Sequence, residues 1–272
     1  MGLSDRGFFA LAVVIYGLST LYAVFLWRRG FRKDDRVTYL LLLAAVGCHT
    51  IAMLKRGFSI SRCPVTNLYE ATMFIAWAIA AVYLAAGLLP RLRFLGAFAS
   101  PLLFCLGVFA LMPKLDAHGP DRALMHGLAS VHAALTLLAY GAFGLGCVAG
   151  LMFLAQERDL KQHRFRAVFS RLPSMQRLEA VTERLLGAGF VLLTVGLGLG
   201  SLWLHNQKGV YLTPDPKILW SLVVWLTYLI LLLLRWRSAQ GGRRFAWGAV
   251  GSFAFVMLTF WGFSLLSEIH HR

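Results

Sequence analysis

The sequence has few charged residues and no large polar segment. Only 14% of its 272 residues are charged, whereas a typical soluble domain has about 25%. Hydrophobic residues make up 58% of the chain, and the mean hydropathy is +0.67. Such a composition excludes an ordinary soluble domain and indicates an integral membrane protein.

Cysteine is also scarce. The four residues Cys48, Cys63, Cys105 and Cys147 form no CxxC pair. Three of them lie within apolar segments, where cysteine behaves as a small apolar residue. The pattern therefore favours neither a disulfide framework nor a zinc site.

Acidic residues are much rarer than basic ones. The chain has 12 Asp and Glu against 27 Lys and Arg, which gives a net charge of +15. Most of the basic residues lie in short segments between apolar blocks, as expected for charges that set membrane topology, so we expect no nucleic-acid partner. The apolar blocks contain no acidic residue near their centres, which argues against a proton or metal transporter.

Eight apolar blocks are long enough, or nearly so, to cross about 30 Å of hydrocarbon. We therefore predict an all-α polytopic membrane protein, with residues 1–272 forming a single transmembrane helical domain. The predicted spans are Phe8–Trp27, Val37–Leu54, Ala71–Leu89, Phe94–Met112, Gly127–Leu154, Leu185–Leu204, Ile218–Leu234 and Phe245–Leu266.

The distribution of Lys and Arg predicts the orientation. With an outside N-terminus, the inside loops carry 18 of these residues and the outside segments carry 9. The excess favours a topology in which both termini face outward. The first block is expected to be a retained span, because its positive charges follow it in RRGFRKDDR. On the inner side, SMQRLEAVTERLL (174–186) predicts a helix on the membrane surface that continues into the sixth span.

Histidines collect at one predicted face. Of eight histidines, only His163 falls on the inner side. His49 and His132 lie within spans two and five, close to the predicted outer ends, where an ionisable group is costly and suggests a function. The remaining ones on this face are His118, His126, His205, His270 and His271.

Imidazoles clustered in this way can bind haem iron, bind another transition metal or relay protons. Zinc and copper sites usually add cysteine or carboxylate ligands at close spacing. Haem fits best, because cations at Lys55, Arg56 and Arg62 are available on the same face for its propionates. Aromatic residues that could form walls lie near the outer ends of spans six to eight: Trp203, Tyr211, Trp220, Trp225 and Trp261.

Residues 203–235, WLHNQKGVYLTPDPKILWSLVVWLTYLILLLLR, resemble the signature region of the cytochrome c assembly family, which includes the CcsA/ResC and HemX-like branches. That region is a tryptophan-rich loop followed by a DPKE element, a Trp-containing span and an Arg. NLYEATMFIAW (67–77) and HAALTLLAY (132–140) resemble two further elements of the family, in the same order. The resemblance runs from residue 49 onward.

The resemblance implies that haem is presented at the outer face. His132 matches the first outside histidine of the family, and His270 or His271 matches the second, so these residues are the expected axial ligands of the haem iron. His49 and His205 would be auxiliary ligands or would lie next to the ligands. Trp220 and Asp215 would belong to the same haem site, although Asp215 can equally cap the helix of span seven.

The chain also departs from the family pattern. Lys208, Leu212 and Pro214 stand where the family loop has Trp, Ile218 replaces the Glu of DPKE, and Leu233 stands where the family has a transmembrane His. These departures imply that the transmembrane haem site of the full synthases is absent. They bring the chain closer to the HemX-like branch.

Two functions follow as expectations. The first is binding and presentation of haem b for c-type cytochrome biogenesis in the cytoplasmic (inner) membrane. The partners would be apocytochrome c and an extracytoplasmic assembly protein, and the chain would be at most part of a haem-to-apocytochrome c synthase. The alternative is a HemX-like regulatory or scaffold protein of tetrapyrrole synthesis, without synthase activity.

Overall fold

The structure is a computed structural model that describes residues 4–28, 36–60, 67–116, 128–162, 174–213, 216–237 and 241–269. Within these ranges the chain is helical, with short turns and no strand. The helices are α1 (Asp5–Arg28), α2 (Arg36–Ile60), α3 (Leu68–Gly87), α4 (Gly96–Ala110), α5 (Leu128–Lys161), α6 (Met175–Lys208), α7 (Pro216–Arg237) and α8 (Arg243–Ile269). Two short 3₁₀ segments flank α4, at Pro90–Leu95 and Pro113–Leu115.

Seven helical segments in the described part of the chain are long and apolar enough to cross a membrane, namely α1 to α3, Leu92–Ala110 and α5 to α7. The eighth helix, α8, has 27 residues and a length of about 40 Å, which also suffices. The prediction of an all-α polytopic membrane protein with about eight helices is confirmed. Its outward orientation stays a prediction, and we use "outer end" for the end of the bundle that carries Asp5, Arg56 and Glu70.

The fourth span is built differently from the prediction. Instead of one α-helix from Phe94, the chain makes a 3₁₀ segment that starts at Pro90, and the α-helix begins at Gly96. The Arg93 guanidinium donates to the Gly87 carbonyl at 2.9 Å, which satisfies an acceptor at the end of α3. The 15-residue helix alone would measure about 22 Å, so the 3₁₀ segment supplies the missing length.

Helices α5 and α6 both extend beyond their predicted spans, and for α6 the extension at the inner end was itself predicted. Each has 34 residues and measures about 51 Å, well beyond the hydrocarbon thickness. The segment 174–186 is helical and continuous with the sixth span, as predicted. Ser174 caps it, because its hydroxyl accepts from the Arg177 backbone N–H at 3.3 Å. The location of this segment on the membrane surface stays a prediction.

The bundle consists of two four-helix halves with the same arrangement. Helix α1 packs on α2 and α4, and α5 packs in the same way on α6 and α8. Each half has an indole hydrogen bond at the equivalent place. Trp77 Nε1 donates to Thr50 Oγ1 at 2.9 Å in the first half, and Trp225 Nε1 donates to Thr194 Oγ1 at 2.9 Å in the second.

The halves meet where α3 packs on α5, and small residues allow the two backbones to approach closely. A β-carbon at Gly141 would lie 2.7 Å from the backbone carbonyl carbon of Ala78, and one at Gly144 would lie 2.6 Å from Ile79. Close packing of small residues is the main source of helix association in lipid, where burial of apolar surface gives little. Larger side chains at these two positions would separate the halves.

Candidate functional site

A buried ionic cluster ties four parts of the chain together at the outer end. Arg56, near the end of α2, is 7% exposed. Its Nε lies 3.0 Å from Glu70 Oε1 on α3, its Nη1 lies 3.3 Å from Asp5 Oδ2 on α1, and its Nη2 lies 2.5 Å from Asp116 Oδ1 beyond α4. One guanidinium therefore serves three carboxylates, which fixes the outer ends of the first four helices.

The NLYE element (67–70) completes this cluster. The Asn67 side-chain oxygen accepts from the Glu70 backbone N–H at 2.7 Å and caps α3. The Asn67 amide also donates to Asp116 at 3.0 Å. The guanidinium carbons of Arg6 and Arg56 lie 5.5 and 5.6 Å from the centroid of the Tyr69 ring. The element NLYE thus organises the outer end of the first half.

His49 lies two helical turns below Arg56 on α2 and is completely buried. Its Nδ1 lies 3.1 Å from the Tyr16 hydroxyl, and Phe9 packs against its ring at 4.9 Å between centroids. The backbone of Met73 is close to the ring, but Nε2 makes no hydrogen bond of standard geometry with the described residues. A closed environment of this kind leaves no room for a porphyrin beside His49.

His132 lies one turn into α5 and faces α6. Its Nδ1 is 2.6 Å from the Gly196 carbonyl oxygen. A carbonyl can only accept, so Nδ1 carries the proton, and the lone pair of the neutral ring is on Nε2. Histidines that bind metals commonly have this arrangement, in which a backbone acceptor orients the ring and fixes the tautomer. The ring is partly exposed.

His205 lies in the last turn of α6, under the loop that follows. Its ring stacks on Tyr211 with 4.1 Å between centroids and a 1° interplanar angle. The loop turns back at Gly209, where φ is +72° and the N–H donates to the His205 carbonyl at 2.8 Å. Ser201 Oγ holds the loop by donating to the Tyr211 carbonyl at 2.8 Å. Val210, Tyr211 and Leu212 are left exposed at the outer end.

Trp220 lies near the start of α7, partly buried, with Phe255 of α8 at 5.6 Å between ring centroids. The other three predicted site residues, Asp215, His270 and His271, lie outside the described residues.

The structure places His49 and His132 in different halves of the bundle. His49 packs among α1, α2 and α3, whereas His132 packs on α6. His205 lies on α6, about 7 Å farther along the helix axis than Gly200, which touches His132. No group of three or more His, Cys, Asp or Glu side chains forms a metal site among the described residues. The described part of the chain therefore offers one partly exposed imidazole with a fixed tautomer, His132.

Sequence reasoning missed two features. Arg56 was expected to serve haem propionates, whereas it is engaged by three carboxylates; the Tyr16 partner of His49 was not recognised at all. One signal was present in the sequence. Arg56 follows His49 by seven residues and so shares its helix face, which places a cation directly above a buried histidine.

The fold and site define a polytopic helical membrane protein with an ionic cluster and a carbonyl-oriented histidine toward the outer end. The model of the cytochrome c assembly protein family matches residues 65–271, more than half of the chain. The chain belongs to the cytochrome c assembly protein family.

Curated relatives agree with this assignment. The cytochrome c biogenesis protein CcsA of Gloeobacter violaceus is 27% identical, over 99% of this chain and 94% of its own length. CcsA of Chlorella vulgaris is 27% identical, over 84% of this chain and 82% of its own. Protein HemX of Brevibacillus brevis is 25% identical, over 95% of this chain and 96% of its own. Family membership supports a role in cytochrome c biogenesis.

Proposed function

We propose that this protein binds haem b transiently at its outer end and presents it for attachment to apocytochrome c. Haem is cargo in this proposal, and its vinyl groups react with the thiols of the apocytochrome. The chain contributes binding and orientation, as part of a synthase complex with an extracytoplasmic partner. The membrane would be the cytoplasmic (inner) membrane, with the outer end facing away from the cytoplasm.

The observation that carries the proposal is the hydrogen bond from His132 Nδ1 to the Gly196 carbonyl, 2.6 Å long. The bond leaves Nε2 as the ligand atom and prevents the ring from turning away. An unconstrained imidazole would lose rotational freedom on binding iron, whereas this one is already ordered. The fit to haem rests on this donor, because a neutral imidazole is a common axial ligand of haem iron.

We assign the second axial ligand to His270 or His271, which follow the last residue of α8. The direction of α8 supports this choice. Its start lies against α5, where a β-carbon at Gly150 would be 3.1 Å from the Ala246 carbonyl. From this contact, Ile269 is about 35 Å along α8, and His132 is about 27 Å along α5 in the same direction. The end of α8 therefore lies near the level of His132 or just beyond it.

The remaining predicted residues do not ligate the iron in this proposal. We propose that His205, Trp220 and Asp215 line the same outer site, where the stack of His205 on Tyr211 gives an aromatic surface in place of the missing tryptophans. His49 would act indirectly. It packs under the Arg56 cluster and keeps the outer ends of α1 to α3 in place, and it makes no contact with haem.

A second function is favoured by a different observation. The HemX relative covers 95% of this chain, and the loop residues Lys208 and Leu212 replace tryptophans of the family pattern. In this alternative the protein is a regulator or scaffold of tetrapyrrole synthesis and has no synthase activity.

Haem content tests the first proposal. The full-length protein is purified in detergent and its haem is measured as the pyridine haemochrome, for the wild type and for His132→Ala. His163→Ala is the matched control, because it removes an imidazole from the predicted inner side. We expect His132→Ala to lose most of the haem and His163→Ala to keep it. A haem-free wild type, or equal loss in both variants, would contradict haem presentation.

A genetic measurement separates the two functions. If the protein presents haem, deletion of its gene removes covalently bound c-type haem from membrane proteins while total haem synthesis continues. If it regulates tetrapyrrole synthesis, the deletion changes the levels of haem precursors and c-type cytochromes still mature when haem is supplied.

A further inference from the structure

A surface groove lies between α6 and α7 at the end of the bundle opposite the ionic cluster. Its volume is about 410 Å³, within the range of small-molecule sites. The lining residues from α6 share one helix face, because they follow the spacing i, i+3, i+4 and i+7. The groove is lined by Ala180, Glu183, Arg184, Gly187, Leu232 and Trp236.

No side chain of the described protein lies close to Gly187 at the apolar end of this groove. A β-carbon placed on Gly187 would meet nothing within 4 Å. The neighbouring α7 contributes Leu232 and Trp236, which are four residues apart and form one stripe. The groove therefore runs along two helices for about 10 Å and is open at the protein surface.

The polarity of the groove changes along its length. On one side lie Gly187 and Leu232, within the apolar parts of α6 and α7. On the other lie Arg184 and Trp236, where both helices become charged. The Trp236 side chain is 69% exposed, and an exposed tryptophan at this level is typical of the membrane–water interface.

Among the described residues that line the groove, Arg184 is the one arginine. Arg235 Nη1 lies 2.6 Å from Glu179 Oε1, and its Nε lies 3.1 Å from Glu183 Oε2. Both carboxylates are thereby engaged. Arg184 is exposed and makes no ion pair with any residue that the structure describes. An anion entering the groove would meet the Arg184 guanidinium without displacing an existing partner.

We propose that this groove binds one phospholipid with an anionic headgroup. The phosphate interacts with Arg184, an acyl chain lies over Gly187 and Leu232, and Trp236 borders the headgroup region. The predicted topology places the groove at the cytoplasmic leaflet, which carries anionic lipid. The lipid fills the gap between α6 and α7. This proposal does not depend on haem binding.

Lipid titration followed by native mass spectrometry tests the proposal. The full-length protein, delipidated in detergent, is titrated with phosphatidylglycerol or with phosphatidylcholine of the same acyl chains. Arg184→Gln removes the cation, and Gly187→Leu places an apolar side chain in the groove at a position where a β-carbon meets nothing within 4 Å. The matched controls are Arg177→Gln, an exposed arginine on α6 outside the groove, and Gly198→Leu, a second open glycine on α6.

We expect Arg184→Gln to weaken phosphatidylglycerol binding about fivefold and to leave phosphatidylcholine binding nearly unchanged. Gly187→Leu should abolish the binding of both lipids, while the two controls bind as the wild type does. The assignment of an anionic headgroup would be wrong if the wild type bound both lipids equally. It would also be wrong if Arg184→Gln bound phosphatidylglycerol as tightly as Arg177→Gln does. If Gly187→Leu bound both lipids as the wild type does, the lipid would not lie in this groove. Displacement of the lipid by millimolar glycerol phosphate would overturn the lipid in favour of a soluble anion.

Discussion

The imidazole of His132 rests directly against Gly200 on the neighbouring helix. A β-carbon at Gly200 would lie 2.7 Å from Nδ1 and 2.8 Å from Cε1 of that ring. The same Nδ1 is bonded to the carbonyl of Gly196, one turn earlier. Position 200 therefore has to be glycine if the ring is to keep both its place and its tautomer.

Gly200→Ala should displace His132 and weaken haem binding about tenfold, as loss of an orienting contact commonly does at metal sites. Gly198→Ala is the control, because a β-carbon there meets nothing within 4 Å and the gain in helix propensity is the same. Haem per protein and the Soret maximum are the measurements. Equal haem content in the two variants would show that the ring contact does not matter for binding.

Arg56→Gln should destabilise the protein by about 3 kcal/mol, because it removes the buried cation that Asp5, Glu70 and Asp116 share. Lys55→Gln removes the same charge from an exposed neighbour and should change the stability by less than about 0.5 kcal/mol. Thermal unfolding in one detergent compares the two variants. If the loss in Arg56→Gln is as small as in Lys55→Gln, the cluster does not hold the outer end together.

Tyr16→Phe should cost about 1 kcal/mol, because it removes the hydrogen-bond partner of the fully buried His49. Tyr22→Phe, on the same helix, is the control and should be close to neutral. Haem content should be the same in both variants, since His49 makes no contact with haem in the proposal. Selective loss of haem in Tyr16→Phe, without loss of stability, would instead point to a direct part for His49.

The two indole hydrogen bonds should contribute similar amounts. Double-mutant cycles of Trp77→Phe with Thr50→Val, and of Trp225→Phe with Thr194→Val, are expected to give coupling energies of about 0.6 kcal/mol each, the average for such bonds within membranes. Unfolding in detergent measures both cycles. A coupling in only one cycle would mean that the halves are similar in arrangement but not in how they are stabilised.

The helices could be predicted because a membrane span is a local signal. About twenty apolar residues in a row identify each span, whatever the rest of the fold does. The same signal failed at the inner end of α5, because the helix continues there into charged sequence around Arg158. Once the segments leave the bilayer, packing of α5 on α6 maintains the helix, and composition no longer reports it.

The site was harder to predict, because its contacts join distant positions. Arg56 and Asp116 are 60 residues apart, and nothing in either neighbourhood indicates that they meet. The orientation of His132 depends on the backbone carbonyl of Gly196. Every residue has a backbone carbonyl, so the sequence does not show which one accepts this hydrogen bond. The histidines themselves were visible, but which of them is buried and which is accessible depends on how the halves pack.

The repeated arrangement of the two halves has a consequence for the shape of the bundle. They are joined head to tail, with α3 of the first half covered by α5 of the second. The equivalent helix of the second half, α7, has its principal contacts with α6 and α8, and only 17% of its most apolar stretch is buried, against 72% for α3. The two halves are thus arranged in a row and not in a closed ring. The two ends of this row differ, because one is formed by the first half and the other by the second. A neighbour that approaches the second half along that row meets α7, most of whose apolar surface is uncovered.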